Sequence, residues 1–192
     1  MSFLLQKTPS QEVPGLKSAL PDFSSASHVF LPVNDCRAVD QAEGGSHWSL
    51  LLVSVLDGVA FHYDSLFPSN TPEAQSNTHR LSTLLSNPLR FININETPQQ
   101  ENGKDCGVYV CLLMQYLLLQ RLLTAKADEK MNMSLRGKEL DAKGMRGEIL
   151  RVIEARRVEG ERRRSRSFSP AVKGGSRSRG RESPPRVGTE NA

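Results

Sequence analysis

The chain has 192 residues, 38% of them hydrophobic, and a formal charge of +4. That length and content support one core rather than two, and the leading stretch "MSFLLQKTPSQEVPG" lacks the apolar run of a signal peptide. The apolar run over 111–119 is too short to span a bilayer, so a soluble protein of the cytoplasm and/or nucleus is expected. Cys36, Cys106 and Cys111 form no CxxC pair and no metal-ligand spacing with the four histidines, which points to free thiols in a reducing compartment.

In chain order, "HVFLPVN" at 28–34 reads as an edge strand or strand end because of its central proline. "HWSLLLVSVLDGVAFHYDSL" at 47–66 holds two β-rich runs meeting at Asp57-Gly58, the dipeptide that suits a two-residue type I′ turn. Both faces of the first run are apolar, so layers must cover this hairpin on both sides. "SNTPEAQSNTHRLSTLLSN" has helix-start residues at Ser69 to Pro72 and an apolar stripe at Leu81, Leu84 and Leu85, and "PLRFINI" returns as a strand.

Beyond the turn signal Asn102-Gly103, Asp105 is a good N-cap, so a helix starts with Cys106 in its first turn. Its residues are apolar on every side, which predicts a helix buried at the centre of the protein, with Cys111 in the core. "RGEILRVIEARR" then reads as a last helix docking through Ile149, Leu150, Val152 and Ile153. The fold class is α+β, a small, mostly antiparallel sheet against a central helix. Residues 155–192 carry eleven Lys and Arg against four Asp and Glu, so the preceding part is net negative. The Arg/Ser-rich segment 158–192 has almost no large apolar residues and is expected to be disordered. It suits a nuclear-import signal or weak nucleic-acid contact, with Ser169-Pro170 and Ser183-Pro184 open to proline-directed phosphorylation.

The position of Cys106 bears on chemistry. A thiol titrates near 8.5 when unperturbed, and the unsatisfied N–H groups of a helix N-terminus stabilise its thiolate. A nucleophile there needs a base, a group to orient that base and donors for an oxyanion. His47 and Asp64 lie at one end of the hairpin. A two-residue turn pairs Leu51 with Asp64, leaving His47 on the same face but about 13 Å away along a flat ladder, a gap that twist, a bulge or a longer turn must close. Gln100, six residues before Cys106, offers uncharged donors beside the Cys106 N–H. His28, His62 and His79 have no partners at useful spacing and read as structural or exposed.

"GGSHWSLLLV", "FHYDSL" and "PQQENGKDCGVYVC", in that order, resemble the ubiquitin-like protease (Ulp, or sentrin-specific protease) family. The resemblance implies a papain-like cysteine protease with Cys106 as nucleophile, His47 as general base and acid, Asp64 as orienting carboxylate and Gln100 as oxyanion donor. It implies no metal or organic cofactor. "VFLPVND" before "GGSHWSLLLV" is most like the deneddylase branch, whose partners are the ubiquitin-like modifier of neddylation and its conjugates. The alternatives are a desumoylating protease acting on SUMO and a modifier-binding protein that no longer cleaves. Trp48 matches the flat aromatic wall that admits a Gly-Gly chain end; it also reads as a core aromatic on a buried strand, and the two roles are compatible. The resemblance covers residues 1–157. In the family a segment with a Trp-containing motif precedes this region, so the N-terminal part of the domain is expected to be missing here.

Overall fold

A computed structural model of the chain describes residues 2–23, 25–36, 38, 44–126 and 131–167. Its elements run α1 (Ser2–Lys7), a 3-10 stretch (Ser10–Ser18), β1 (His28–Asn34), β2 (Trp48–Ser54), β3 (Val59–Tyr63), α2 (Thr71–Leu85), β4 (Arg90–Asn93), α3 (Cys106–Leu117) and α4 (Ala142–Ser167). The chain divides into two units, residues 1–151 and 152–192.

The sheet has the order β1-β2-β3-β4, antiparallel but for the parallel β3–β4 pair. Pro32 accordingly sits on an edge strand. The alternation of β2 divides its side chains between two apolar layers. Leu51 and Val53 join Val29, Leu31, Val33, Ala60, Ala74 and Leu81 on the side covered by α1 and α2. Leu50 and Leu52 join Tyr63, Val110, Leu113, Leu117 and Leu135 on the side covered by α3. The two-sided burial expected for β2 is therefore met, in a helix–sheet–helix sandwich of the α+β class.

The hairpin turn is longer than its Asp57-Gly58 dipeptide suggested. Strand pairing ends at Ser54 and Val59, leaving residues 55–58 in the loop, and Leu50 faces Tyr63 while Leu51 faces His62. Gly58 adopts φ +62°, and a Cβ there would come within 2.9 Å of the Pro88 carbonyl oxygen. Its own carbonyl accepts the Arg90 N–H at 2.8 Å, so the same residue closes the hairpin and starts β4.

Helix α3 departs from expectation too. Cys106, Tyr109, Val110, Leu113 and Leu117 are buried at helical spacing, but Gly107, Cys111 and Gln115 on the opposite side are exposed. The helix is one-sided despite an apolar sequence, and Cys111 is a surface thiol, not a core residue. The final helix forms, but of its apolar residues Leu150, Val152 and Ile153 are exposed, and Met145 is the buried one. Helix α4 also continues through residues 158–167, where the tail composition suggested no structure, with Arg157 bridging Glu154 and Glu161 at 2.7 Å each. Both Ser-Pro sites and the rest of the basic tail lie outside the described residues. Among the described residues no helix is long and apolar enough to cross a membrane.

Candidate active site

The site forms at the end of the sheet where β2 begins and β3 stops. Continuing the observed register sets Ser49 opposite Asp64, so His47 stands only two residues further along the same face, about 7 Å of strand rise. The longer turn thus removes half of the gap foreseen from the sequence. The side chains span the remainder: His47 Nε2 lies 2.6 Å from Asp64 Oδ1, with both residues buried.

Asp64 is held by more than the imidazole. Its Oδ1 also accepts the Leu66 N–H at 2.9 Å, and its Oδ2 accepts the Asn70 N–H at 2.9 Å. Burial pushes its pKa upward, but the hydrogen bonds from His47, Asn70 and Leu66 outweigh that, leaving the carboxyl below its ordinary value. An ionised Asp64 accepting at Nε2–H fixes the tautomer, so Nδ1 carries the lone pair of the imidazole.

The backbone of His47 is clamped from β1. Asp35 Oδ1 accepts the N–H groups of Ser46 at 2.7 Å and His47 at 3.0 Å, and Asp35 Oδ2 accepts the Ser46 hydroxyl at 2.7 Å. The Asp35 N–H and Asn34 Nδ2 donate to the His47 carbonyl at 3.2 and 3.3 Å. Gly45, at φ +94°, makes room for this clamp, since a Cβ there would collide with Asn34 Oδ1 and Asp35 Oδ1. Sequence alone does not single out Asn34 and Asp35. Their signal was the Asn-Asp pair ending "VFLPVND", whose partners are set by tertiary structure.

Cys106 opens α3, with Asp105 at the N-cap position. The Asp105 side chain makes no cap hydrogen bond; its carboxylate instead accepts Asn102 Nδ2 at 2.6 Å and pairs with Arg146. The first-turn N–H groups around Cys106 are thus left uncovered by that side chain, and these are the groups that stabilise an anion. Gln100 is anchored to the segment after Asp64: its N–H donates to the Ser65 carbonyl at 2.8 Å and its Oε1 accepts the Ser65 hydroxyl at 2.8 Å. Its Nε2 donates one hydrogen to the Asn102 carbonyl at 2.7 Å.

Gln99 completes the linkage between the two halves. Its Nε2 donates to the Asp64 carbonyl at 2.9 Å, its Oε1 accepts the Phe67 N–H at 3.0 Å, and its own carbonyl accepts the hydroxyl of Tyr109 at 3.2 Å. Tyr109 lies three residues beyond Cys106 on the same face of α3. Hydrogen bonds therefore run from the His47–Asp64 pair through Gln99 and Gln100 to the first turn of α3. Trp48, with the strand parity of Leu50, is 41% exposed and so is not a fully buried core aromatic.

Of the remaining histidines, His62 is buried, with Nδ1 2.8 Å from Asn93 Oδ1 and Nε2 3.0 Å from Ser49 Oγ. That satisfied triad ties β2, β3 and β4 together and supports its structural assignment. A cavity of about 620 Å³ lined by Leu20, Phe23, Val55 and Leu84 lies by the opposite end of β2 from His47. Among the described residues no His, Cys, Asp and Glu cluster is arranged to hold a metal ion.

Residues 8–146 match the model of the Ulp1 protease family, C-terminal catalytic domain. The chain is 37% identical over 157 residues to NEDD8-specific protease 2 of Schizosaccharomyces pombe, covering 80% of this chain and 36% of that protein. It is 33% identical over 140 residues to NEDD8-specific protease 1 of the same organism, covering 72% and 33%. Human sentrin-specific protease 8 is 38% identical over 92 residues, covering 46% and 42%. The chain thus spans about a third of the length of the first two relatives. Among solved structures, the Xanthomonas campestris effector XopD bound to ubiquitin aligns with a TM-score of 0.46 at 27% identity, covering 75% of this chain and 76% of that one.

Proposed function

Because the chain belongs to the Ulp1 protease family, we propose that it is a cysteine isopeptidase that cleaves after the C-terminal Gly-Gly of a ubiquitin-like modifier, with NEDD8 as the modifier. The observation that carries this reading is the buried 2.6 Å bond between His47 Nε2 and Asp64 Oδ1, in a pair linked through Gln99 to the helix that Cys106 opens. Residues 1–157 act as the protease domain. The NEDD8-specific names of the two Schizosaccharomyces pombe relatives support the choice of modifier.

In this reading Asp64 holds Nε2–H, leaving Nδ1 to take the proton of Cys106. The thiolate attacks the carbonyl carbon of the terminal glycine, and the oxyanion is received by the Cys106 N–H and the second hydrogen of Gln100 Nε2, the first being committed to Asn102. His47 returns its proton to the departing amine as the tetrahedral intermediate collapses to a thioester. It then deprotonates the water that hydrolyses the thioester and regenerates the thiol. The exposed indole of Trp48 flanks His47 in sequence and serves as the wall along which a chain end without side chains slides. The free thiols suit the reducing cytoplasm or nucleus, which is where this reading places the protein. The Arg/Ser-rich segment 158–192 adds weak contact with nucleic acid.

Hydrolysis of fluorogenic C-terminal amides of NEDD8 and SUMO tests the reading. It predicts turnover of the NEDD8 substrate and none by the Cys106→Ala variant. Release from the SUMO substrate alone contradicts the choice of modifier, and release undiminished in Cys106→Ala contradicts the assignment of the nucleophile.

A further inference from the structure

Helix α2 begins at an asparagine that does not cap it. Asn70 occupies the N-cap position, where asparagine is favoured because its side-chain oxygen accepts a first-turn N–H, yet its side chain makes no such bond. The residue is fully buried, and its amide is turned into the sheet, where Nδ2 donates to the Val33 carbonyl at 3.2 Å and to the His47 carbonyl at 3.4 Å. Its backbone N–H meanwhile donates to Asp64 Oδ2 at 2.9 Å.

We propose that Asn70 is a positioning residue for the His47–Asp64 pair, holding the histidine by its backbone carbonyl and the aspartate by its outer carboxylate oxygen. The other donors to the His47 carbonyl, Asn34 and Asp35, come from the β1 side. Of the three, Asn70 is the one that also binds Asp64, so it sets the distance between the two halves of the pair. The amide bonds are long, which suits a part in fixing geometry more than in adding stability.

A second observation points the same way. Asn70 Oδ1 is buried with no hydrogen-bond partner among the described residues. A buried unsatisfied carbonyl is destabilising, and a serine at this position would cap α2 without it. Stability alone does not account for an asparagine here, whereas the need to donate twice into the sheet does.

The inference rests on the protease reading only in its kinetic arm. In the full chain labelled with nitrogen-15, the Nε2 proton of His47, assigned by its loss in His47→Gln, is expected far downfield because of its short bond to Asp64. In Asn70→Ala that resonance should move upfield or broaden away, while the imidazole signals of His62 stay in place. Hydrolysis of a NEDD8 C-terminal amide should then fall on the order of 10- to 100-fold in kcat with KM little changed.

A folded Asn70→Ala variant that keeps the His47 resonance unmoved overturns the proposal. Should that variant not fold, Asn70→Ser, which can cap α2, reads the same signal with the same criteria. Failure of both to fold overturns it as well, since it marks Asn70 as structural only. A wild-type chain that hydrolyses no modifier sinks the protease reading but leaves the spectra to decide the role of Asn70.

Discussion

Asp64 and His62 are neighbours on β3 and its end, and burial acts on them in opposite senses. Asp64 has its pKa raised by burial but lowered further by the donors His47, Asn70 and Leu66, so the folded state favours its ionised form. That contribution is complete above the ordinary carboxylate value near 3.9 and is lost as the pH falls through it toward the depressed folded value. His62 has its pKa lowered by burial, which outweighs the opposing bond to Asn93, so the folded state favours its neutral form. Below the ordinary histidine value near 6.5 the unfolded chain binds the proton more readily, and stability falls. Urea unfolding from pH 7 to pH 5 should therefore show wild-type stability declining. The His62→Gln variant should be less stable at pH 7 but decline less over that range. An equal decline in both contradicts the assignment of the acid sensitivity to His62.

The site residues differ in how visible they were beforehand. Cys106, His47, Asp64 and Gln100 stood out because their residue types and order carry a known chemistry. Asn34, Asp35, Gln99 and Asn70 did not, because their work is done through backbone groups far away in sequence: Asn70 reaches Val33 and His47, and Gln99 reaches Asp64 and Tyr109. Local sequence holds no trace of which carbonyl an amide will find.

At the scale of elements, the His47–Asp64 pair depends on the register of one hairpin. Asp57-Gly58 was legible as a turn, but its length was not, because tertiary contacts decide where pairing stops. Gly58 donates no side chain to the space in front of the Pro88 carbonyl, and its carbonyl is taken by Arg90 as β4 begins parallel to β3. A two-residue turn would shift the register and separate His47 from Asp64. The Gly58→Ala substitution meets both an unfavourable left-handed conformation and a close carbonyl, and should cost about 1–2 kcal/mol or more. Chemical denaturation measures it, and an unchanged midpoint contradicts the strained turn. Helix α3 was legible in its start at Cys106 but not in its surroundings. Uniformly apolar composition predicted burial on all sides, yet the structure covers only the face of Tyr109, Val110, Leu113 and Leu117, leaving Cys111 and Gln115 outside.

At the scale of the whole molecule, the two sides of the sheet each supply half of the proposed machinery. His47, Asp64 and Asn70 belong with the face covered by α2, and Cys106 with the helix covering the other face; Gln99 and Gln100 connect them around the strand ends. Sequence order carried the α+β class and the strand sequence, while the parallel placement of β4 and the continuation of α4 to Ser167 became apparent only in three dimensions. The most direct test of the account is covalent capture. NEDD8 carrying an electrophile at its C-terminus should form a one-to-one adduct mapped by peptide mass spectrometry to Cys106, and His47→Ala should slow its formation sharply. An adduct on exposed Cys111 or on Cys36 instead, or equal capture with and without His47, contradicts it.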